Sequence, residues 1–251
     1  MIQLKSQVVV ITGGSRGIGA ATARLFARAG AKLVINYVRD ELAAVELAEE
    51  LEEFCPGIEV YQCDVSQPRQ AEELIEFTQR KFGKVYCVVN NAGIWTHGEI
   101  GTILEETWDE TMSVNLKGTF NVTNAVVPLM KLSGGGRIIN ISSTAGQRGE
   151  AFHSHYAASK GGLLAFTRSL AVELAPYNIL VNAVAPGWVD TDLNSEPFGD
   201  QNERSRIAAT IPLGRIATPD DVAGAVLFLA SDLSLHITGA TINVNGGSVL
   251  V

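Results

Sequence analysis

At 251 residues, with 46% hydrophobic and 18% charged side chains, the chain has the makeup of one large folded unit with a substantial core. A net charge of −8 argues against a nucleic-acid or anionic-membrane partner, because nothing globally offsets phosphate repulsion. Apolar runs are short, no signal-peptide layout precedes the first strand, and Cys55, Cys63 and Cys87 lack metal spacing, so a cytoplasmic protein with reduced thiols is expected.

Residues 7–11 read as a buried strand, followed at once by Thr12-Gly13-Gly14-Ser15-Arg16-Gly17-Ile18-Gly19 and an alanine-rich helix to about residue 29. Strand, glycine turn and helix make the first unit of a dinucleotide fold. The glycines let the backbone approach a pyrophosphate, which then sits on the positive helix N-terminus. The spacing is G-x-x-x-G-x-G rather than G-x-G-x-x-G. A second strand, 31–36, leads to Tyr37-Val38-Arg39-Asp40. Enzymes that use NAD usually carry an acid near the end of this strand for the ribose 2′-OH. Here the position reads Asn36-Tyr37, and Asp40 is expected to cap the next helix. Arg16 and Arg39 are placed to meet a 2′-phosphate, which favours NADP(H) over NAD(H); the bland alternative is that both are solvated surface.

A helix at 40–54 and a strand near 58–62 lead to Cys63-Asp64-Val65-Ser66, where Asp64 either accepts from an adenine amino group or caps the next helix. A helix at 68–82 and a strand at 85–89 end in Asn90-Asn91-Ala92-Gly93, small enough for a cofactor to lie against the backbone. A long helical region, about 105–131, contains Val114-Asn115-Leu116-Lys117-Gly118. Asparagine is mildly unfavourable inside a helix. Asn115 therefore holds either a proton-relaying water or a packing hydrogen bond.

A strand at 137–141 ends just before Ser143, and a helix at 153–175 sets Tyr156 and Lys160 four apart on one face. A phenol with a pKa of about 10 is a poor acid near neutrality. An ammonium beside it favours the phenolate, so Lys160 is expected to lower Tyr156 into working range, with Ser143 holding the same substrate oxygen. A sixth strand, 179–184, ends in Pro186-Gly187-Trp188-Val189-Asp190-Thr191 and opens a polar segment, read as a substrate lid around 187–205. A helix at 219–230 and a strand at 240–244 close the chain. Strands alternate with helices throughout, which implies α/β architecture: a single doubly wound parallel sheet with helices on both faces, spanning 1–251. His97, His153, His155 and His236 form no metal motif, and no metal is expected.

Thr12-Gly13-x-x-x-Gly17-x-Gly19, Asn90-Asn91-Ala92-Gly93, Asn115, Ser143, Tyr156-x-x-x-Lys160 and Pro186-Gly187 occur in this order. Together they resemble the short-chain dehydrogenase/reductase family over essentially the whole chain. The resemblance implies a single Rossmann-type domain, a nicotinamide cofactor and a homotetramer built through helices 105–131 and 153–175 and the last strand. It implies catalytic roles for Asn115, Ser143, Tyr156 and Lys160. It also implies cofactor contacts at Gly13, Ser15, Arg16, Gly17, Ile18, Gly19, Asp64, Val65, Asn91, Ala92, Gly93, Val114, Tyr156, Lys160, Val189 and Thr191, beside Tyr37, Arg39, Pro186 and Gly187.

Lys117-Gly118-Thr119-Phe120 and the ending Val244-Asn245-Gly246-Gly247 are similar to the 3-oxoacyl-(acyl carrier protein) reductases, which implies a carbonyl thioester substrate and an acyl carrier protein partner. Where that family carries docking arginines, however, this chain has Gly134 and Tyr177, with Lys131, Arg137 and Arg168 nearby as substitutes. Other members with these motifs act on sugars, polyols or small ketones. Trp95, His97, His153 and Trp188 border the expected pocket, either shaping it or simply packing and facing solvent.

Overall fold

The computed structural model describes residues 2–55 and 57–251. Seven strands form one all-parallel sheet: β1 (Val8–Ile11), β2 (Lys32–Tyr37), β3 (Ile58–Gln62), β4 (Cys87–Asn90), β5 (Gly136–Ile141), β6 (Ile179–Pro186) and β7 (Thr241–Val244). Their order is β3-β2-β1-β4-β5-β6-β7. The chain leaves β3 at one edge and re-enters at β4 beside β1. At that reversal the carboxyl ends of β1 and β4 open a crevice.

Each face of the sheet carries a layer of helices. On one side lie α1 (Gly17–Arg28), α2 (Glu41–Leu51) and α10 (Pro219–Ala230); on the other lie α3 (Pro68–Phe82), α5 (Gly118–Leu132) and α7 (Ser154–Leu174). Because both faces are covered, β1 reads as four buried apolar residues with no alternation. Phe26 of α1, fully buried, anchors the first layer, where truncation to alanine costs about 3–5 kcal/mol. The helix ends follow local rules. Pro68 opens α3 and Gly83, in the left-handed conformation, closes it. In α10 Thr218 and Asp221 form a reciprocal capping box.

The long helix expected at 105–131 is three pieces. A short α4 (Glu105–Met112) passes through a π segment (Ser113–Lys117) into α5. The inserted turn sits on Asn115, a frequent signature of a functional site. Between β5 and α7 a four-residue α6 (Ala145–Arg148) interrupts the connection. The segment expected as a polar lid carries α8 (Ser195–Phe198) and α9 (Gln201–Ala209), helices that its sequence did not announce.

Cys55, Cys63 and Cys87 are unpaired and buried, and burial pushes the thiols of Cys63 and Cys87 up to about 12. Among the described residues no helix is long and apolar enough to cross a membrane, and no cluster of His, Cys, Asp or Glu is placed to hold a metal ion.

Candidate active site

The crevice at the carboxyl ends of the strands is a cleft of about 680 Å³. Its floor is made of backbone. Gly13 and Gly17 both take left-handed φ values, +57° and +52°. A Cβ on Gly13 would meet Ala92 Cα at 3.0 Å, and one on Gly17 would meet Thr191 Cγ2 at 3.1 Å. Side chains from neighbouring strands hold this turn. Asn36 Oδ1 accepts from Gly13 N at 3.2 Å, Asn91 Nδ2 donates to the Thr12 and Gly13 carbonyls, and Thr12 Oγ1 accepts from Asn91 N and Ala92 N. Asn36 spends its amide on the Tyr37 and Cys63 carbonyls. That leaves it no role as a ribose acceptor.

The N-terminus of α1 opens onto this floor. Arg16 precedes the helix in extended backbone, no side chain caps the first turn, and no acid lies in it. Uncapped amides, the helix dipole and a glycine cradle that any Cβ would fill together fit a nucleotide diphosphate. Arg16 lies 3.5 Å from Asp192 and 3.9 Å from Asp40. Exposed pairs of this kind contribute about 0–1 kcal/mol, so exchanging them for a phosphate contact costs little. Asp40 caps α2, accepting from Ala43 N at 3.1 Å. Asp64 does not cap α3, whose N-cap is Gln67; its Oδ1 instead accepts from Ser66 N and holds the turn that lines the cleft.

Ser15, Ile18, Tyr37, Arg39, Val65, Gly93, Val114, Pro186, Gly187 and Val189 also line the cleft. Gly19 does not. It lies beneath the turn, where a Cβ would come within van der Waals overlap of Gly13 O and Asn91 Nδ2. Its smallness serves packing of the loop on itself.

Ser143, Tyr156 and Lys160 meet at the inner end. Lys160 Nζ donates to Ile141 O at 2.8 Å and stands 5.8 Å from the centre of the Tyr156 ring. The expected lowering of the phenol by the ammonium is not what this geometry gives. Burial dominates, pushing Tyr156 up to about 12 and Lys160 down to about 8. The downward influence on Tyr156 is its hydrogen bond with Ser143, while the carboxylate of Glu150 pushes it further up. Asn115 is fully buried and fully used: Oδ1 accepts from Ile94 N, and Nδ2 donates to Ile94 O and Ser159 Oγ. Of the two readings of Asn115, the packing hydrogen bond describes its side chain. It ties the connection after β4 to the turn of α7 that carries Lys160. A Cβ on Gly93 would sit 3.2 Å from Asn115 Oδ1 and 3.4 Å from Lys160 Nζ, so this corner accepts only glycine without rearrangement.

The outer end is aromatic. Trp95 and Trp188 line the cleft with ring centres 6.1 Å apart at 81°. His153, expected at the pocket surface, is instead buried behind Trp95, stacked on it at 4.2 Å. His97 stacks on Phe152. Trp188 also packs against Phe198 of α8, joining the cleft to the 187–205 segment. Sequence reasoning missed Glu150, Thr96, Arg148 and Asp192, which also line the cleft. An acid in the loop between Ser143 and Tyr156 was the available signal for Glu150. Of the residues offered as docking substitutes, Arg137 is buried, its guanidinium over the Tyr86 ring, so it cannot meet a partner surface. Lys131 lies 3.9 Å over the Tyr177 ring. Arg168 is exposed.

A family profile described as Enoyl-(Acyl carrier protein) reductase matches residues 13–248. The chain is 40% identical to the 3-oxoacyl-(acyl-carrier-protein) reductase of Thermotoga maritima, over 99% of this chain and 100% of the relative. It is 39% identical to the L-rhamnose 1-dehydrogenase (NAD(P)(+)) of Azotobacter vinelandii, over 97% of each. It is 40% identical to the acetoacetyl-CoA reductase of Shinella zoogloeoides, over 98% of this chain and 100% of the relative. Sheet order, cleft and full-length relatives agree: the chain belongs to the short-chain dehydrogenase/reductase family, enzymes that act on CH–OH and C=O groups with a nicotinamide cofactor.

Proposed function

We propose that the protein interconverts a ketone and a secondary alcohol with NADP(H). The observation that carries this reading is one cleft that joins a glycine-cradled, uncapped helix N-terminus to the group Ser143, Tyr156 and Lys160. Hydride transfer is the chemistry a bound nicotinamide supplies. The chain's own residues handle the oxygen and its proton. Tyr156 donates its phenolic proton as the oxygen gains charge, and Ser143 donates a hydrogen bond that stabilises that charge. Lys160 acts once an opposite partner shares its pocket. A phenolate forming on a ring whose centre is 5.8 Å away favours the ammonium, just as the ammonium favours the phenolate. Asn115 positions these groups through Ile94 and Ser159.

The preference for NADP(H) is supported by Arg16 and Arg39 lining the cleft, and by the absence of a free acid at the end of β2, where Asn36 is internally satisfied. A 3-oxoacyl thioester, with a place in fatty-acid reduction, is the substrate class that most of the named relatives suggest. Delivery by acyl carrier protein has weaker support, since Gly134, Tyr177 and the buried Arg137 leave few cations to meet an acidic carrier. A sugar or other small alcohol is the second reading, favoured by the tryptophan corner and Glu150 at the outer end. Assembly as a homotetramer is supported by exposed Trp108, Phe120 and Val172 on α4, α5 and α7, and a cytoplasmic setting by the unpaired thiols.

Initial rates with NADPH and NADH, on acetoacetyl thioester free and carrier-bound and on a panel of small ketones, test this reading. A preference for NADPH with turnover of any ketone supports it. A clear NADH preference overturns the cofactor assignment.

A further inference from the structure

The outer end of the cleft has one charged side chain whose surroundings are unusual. Glu150 lies in the loop before α7, six residues ahead of Tyr156, partly buried in the cleft wall. Trp95 Nε1 donates to its Oε2 at 3.4 Å. Trp95 is itself fixed from behind by His153, parallel to within 5°, and His153 Nδ1 lies 3.0 Å from Ala151 O. A carbonyl only accepts, so Nδ1 carries the proton and the imidazole is locked in one orientation. Among the described residues no cation pairs with Glu150.

An ionised carboxylate accepts hydrogen bonds and donates none, with room for about four. Trp95 supplies one weak donor. The others must come from water or from the substrate. The acyl chain beside a 3-oxo group offers no donor, so closing it over Glu150 would desolvate the charge without compensation. A polyhydroxylated carbon skeleton meets both features of the corner, its hydroxyls donating to the carboxylate and its C–H faces lying against the indoles.

Resting on the oxidoreductase reading above, and choosing between its two substrate classes, we propose that Glu150, framed by Trp95 and Trp188, determines specificity by accepting hydrogen bonds from hydroxyls that flank the reacting carbon. The substrate class is then a neutral, sugar-sized polyhydroxy compound rather than an acyl thioester. Glu150 is close enough to the reacting centre for its charge to act on the Tyr156 phenol.

The test compares wild type with Glu150→Gln, which keeps the side chain's shape and an acceptor for Trp95. Rates are measured with NADP⁺ on L-rhamnose, D-glucose and D-sorbitol, and with NADPH on cyclohexanone and acetoacetyl-CoA. The expected result is wild-type turnover of at least one hydroxylated compound, with kcat/KM falling about tenfold to a hundredfold in Glu150→Gln. Cyclohexanone, which offers Glu150 no hydroxyl, should lose clearly less than the hydroxylated compound in the same variant, any change there reporting only the loss of the carboxylate's effect on Tyr156. An equal loss on cyclohexanone, or no loss on the hydroxylated compound, overturns the assignment of Glu150. Reduction of acetoacetyl-CoA by a wild type that oxidises none of the sugars overturns the substrate class while leaving the oxidoreductase reading intact. Silence on every compound removes that reading and this one with it.

Discussion

The two ends of the cleft are made in different ways. The cofactor end is backbone: two left-handed glycines, an uncapped helix start, and asparagine and threonine side chains spent on holding the turn in place. The substrate end is side chain: Trp95, Glu150 and Trp188 arrive from the connections after β4, β5 and β6. A backbone site has almost no freedom, because what it needs is the absence of atoms. A side-chain site can be rewritten residue by residue without disturbing the sheet. One fold can therefore keep its nucleotide and change its substrate.

The sharpest attack on this division falls where the ends meet. Tyr156→Phe removes only the hydroxyl of a buried ring and should lower kcat by roughly 10²–10⁴ while leaving the melting temperature nearly unchanged. Near-full turnover in that variant would remove Tyr156 from the chemistry. Next comes Gly19→Ala at the backbone end, where the new methyl overlaps Gly13 O. We expect about 1–3 kcal/mol of destabilisation, a melting temperature lower by roughly 2–10 °C, and weaker NADPH binding by fluorescence titration. A variant as stable and as tight as wild type would show that the turn is more forgiving than its geometry suggests.

Arg39→Ala probes a place where the cofactor end depends on a charged side chain. KM for NADPH should rise about tenfold and that for NADH should not move. Equal shifts would separate Arg39 from the 2′-phosphate. The smallest effect lies outside both ends. Asp221→Ala breaks the α10 capping box and should cost about 1 kcal/mol at pH 7 without altering kcat. The Arg215 guanidinium and the Thr218 amide hold the Asp221 carboxyl well below the usual carboxylate range. Its contribution is therefore full above the unfolded pKa of about 4 and lost as pH falls through the folded value. Denaturation curves of variant and wild type should approach each other below about pH 4, and a constant gap would contradict the cap.

The same division explains what could be read from the chain alone. A backbone site must use glycine and small polar residues at fixed spacing, so Gly13, Gly17 and Asn91 announced it, as did the alternation of buried strands and helices. The π segment at Ser113–Lys117 was not legible, because one extra residue per turn leaves no mark on a local apolar pattern. Asn115 was noticed for its poor helix propensity, yet its partners Ile94 and Ser159 lie 21 and 44 residues away. Arg137 looked like a surface cation from its type; β5 is a central strand, and that position is buried against Tyr86. Glu150 and Trp95 are 55 residues apart, and only the fold brings them together. The mutual effect of Tyr156 and Lys160 was judged from their spacing, whereas burial decides it.

The three thiols described with the sheet have a use of their own. A thiol-specific reagent attacks the thiolate, and the buried Cys63 and Cys87, held up to about 12, present almost none while the chain is folded. Labelling therefore proceeds at the rate at which each site opens. Cys87 lies in the middle of the sheet, paired with neighbours on both sides, and reports opening of the whole. Cys63 sits just past the edge strand β3 and reports fraying of that edge. With no disulfide to reduce and no foreign probe to attach, the order in which the native protein comes apart can be timed from its own cysteines.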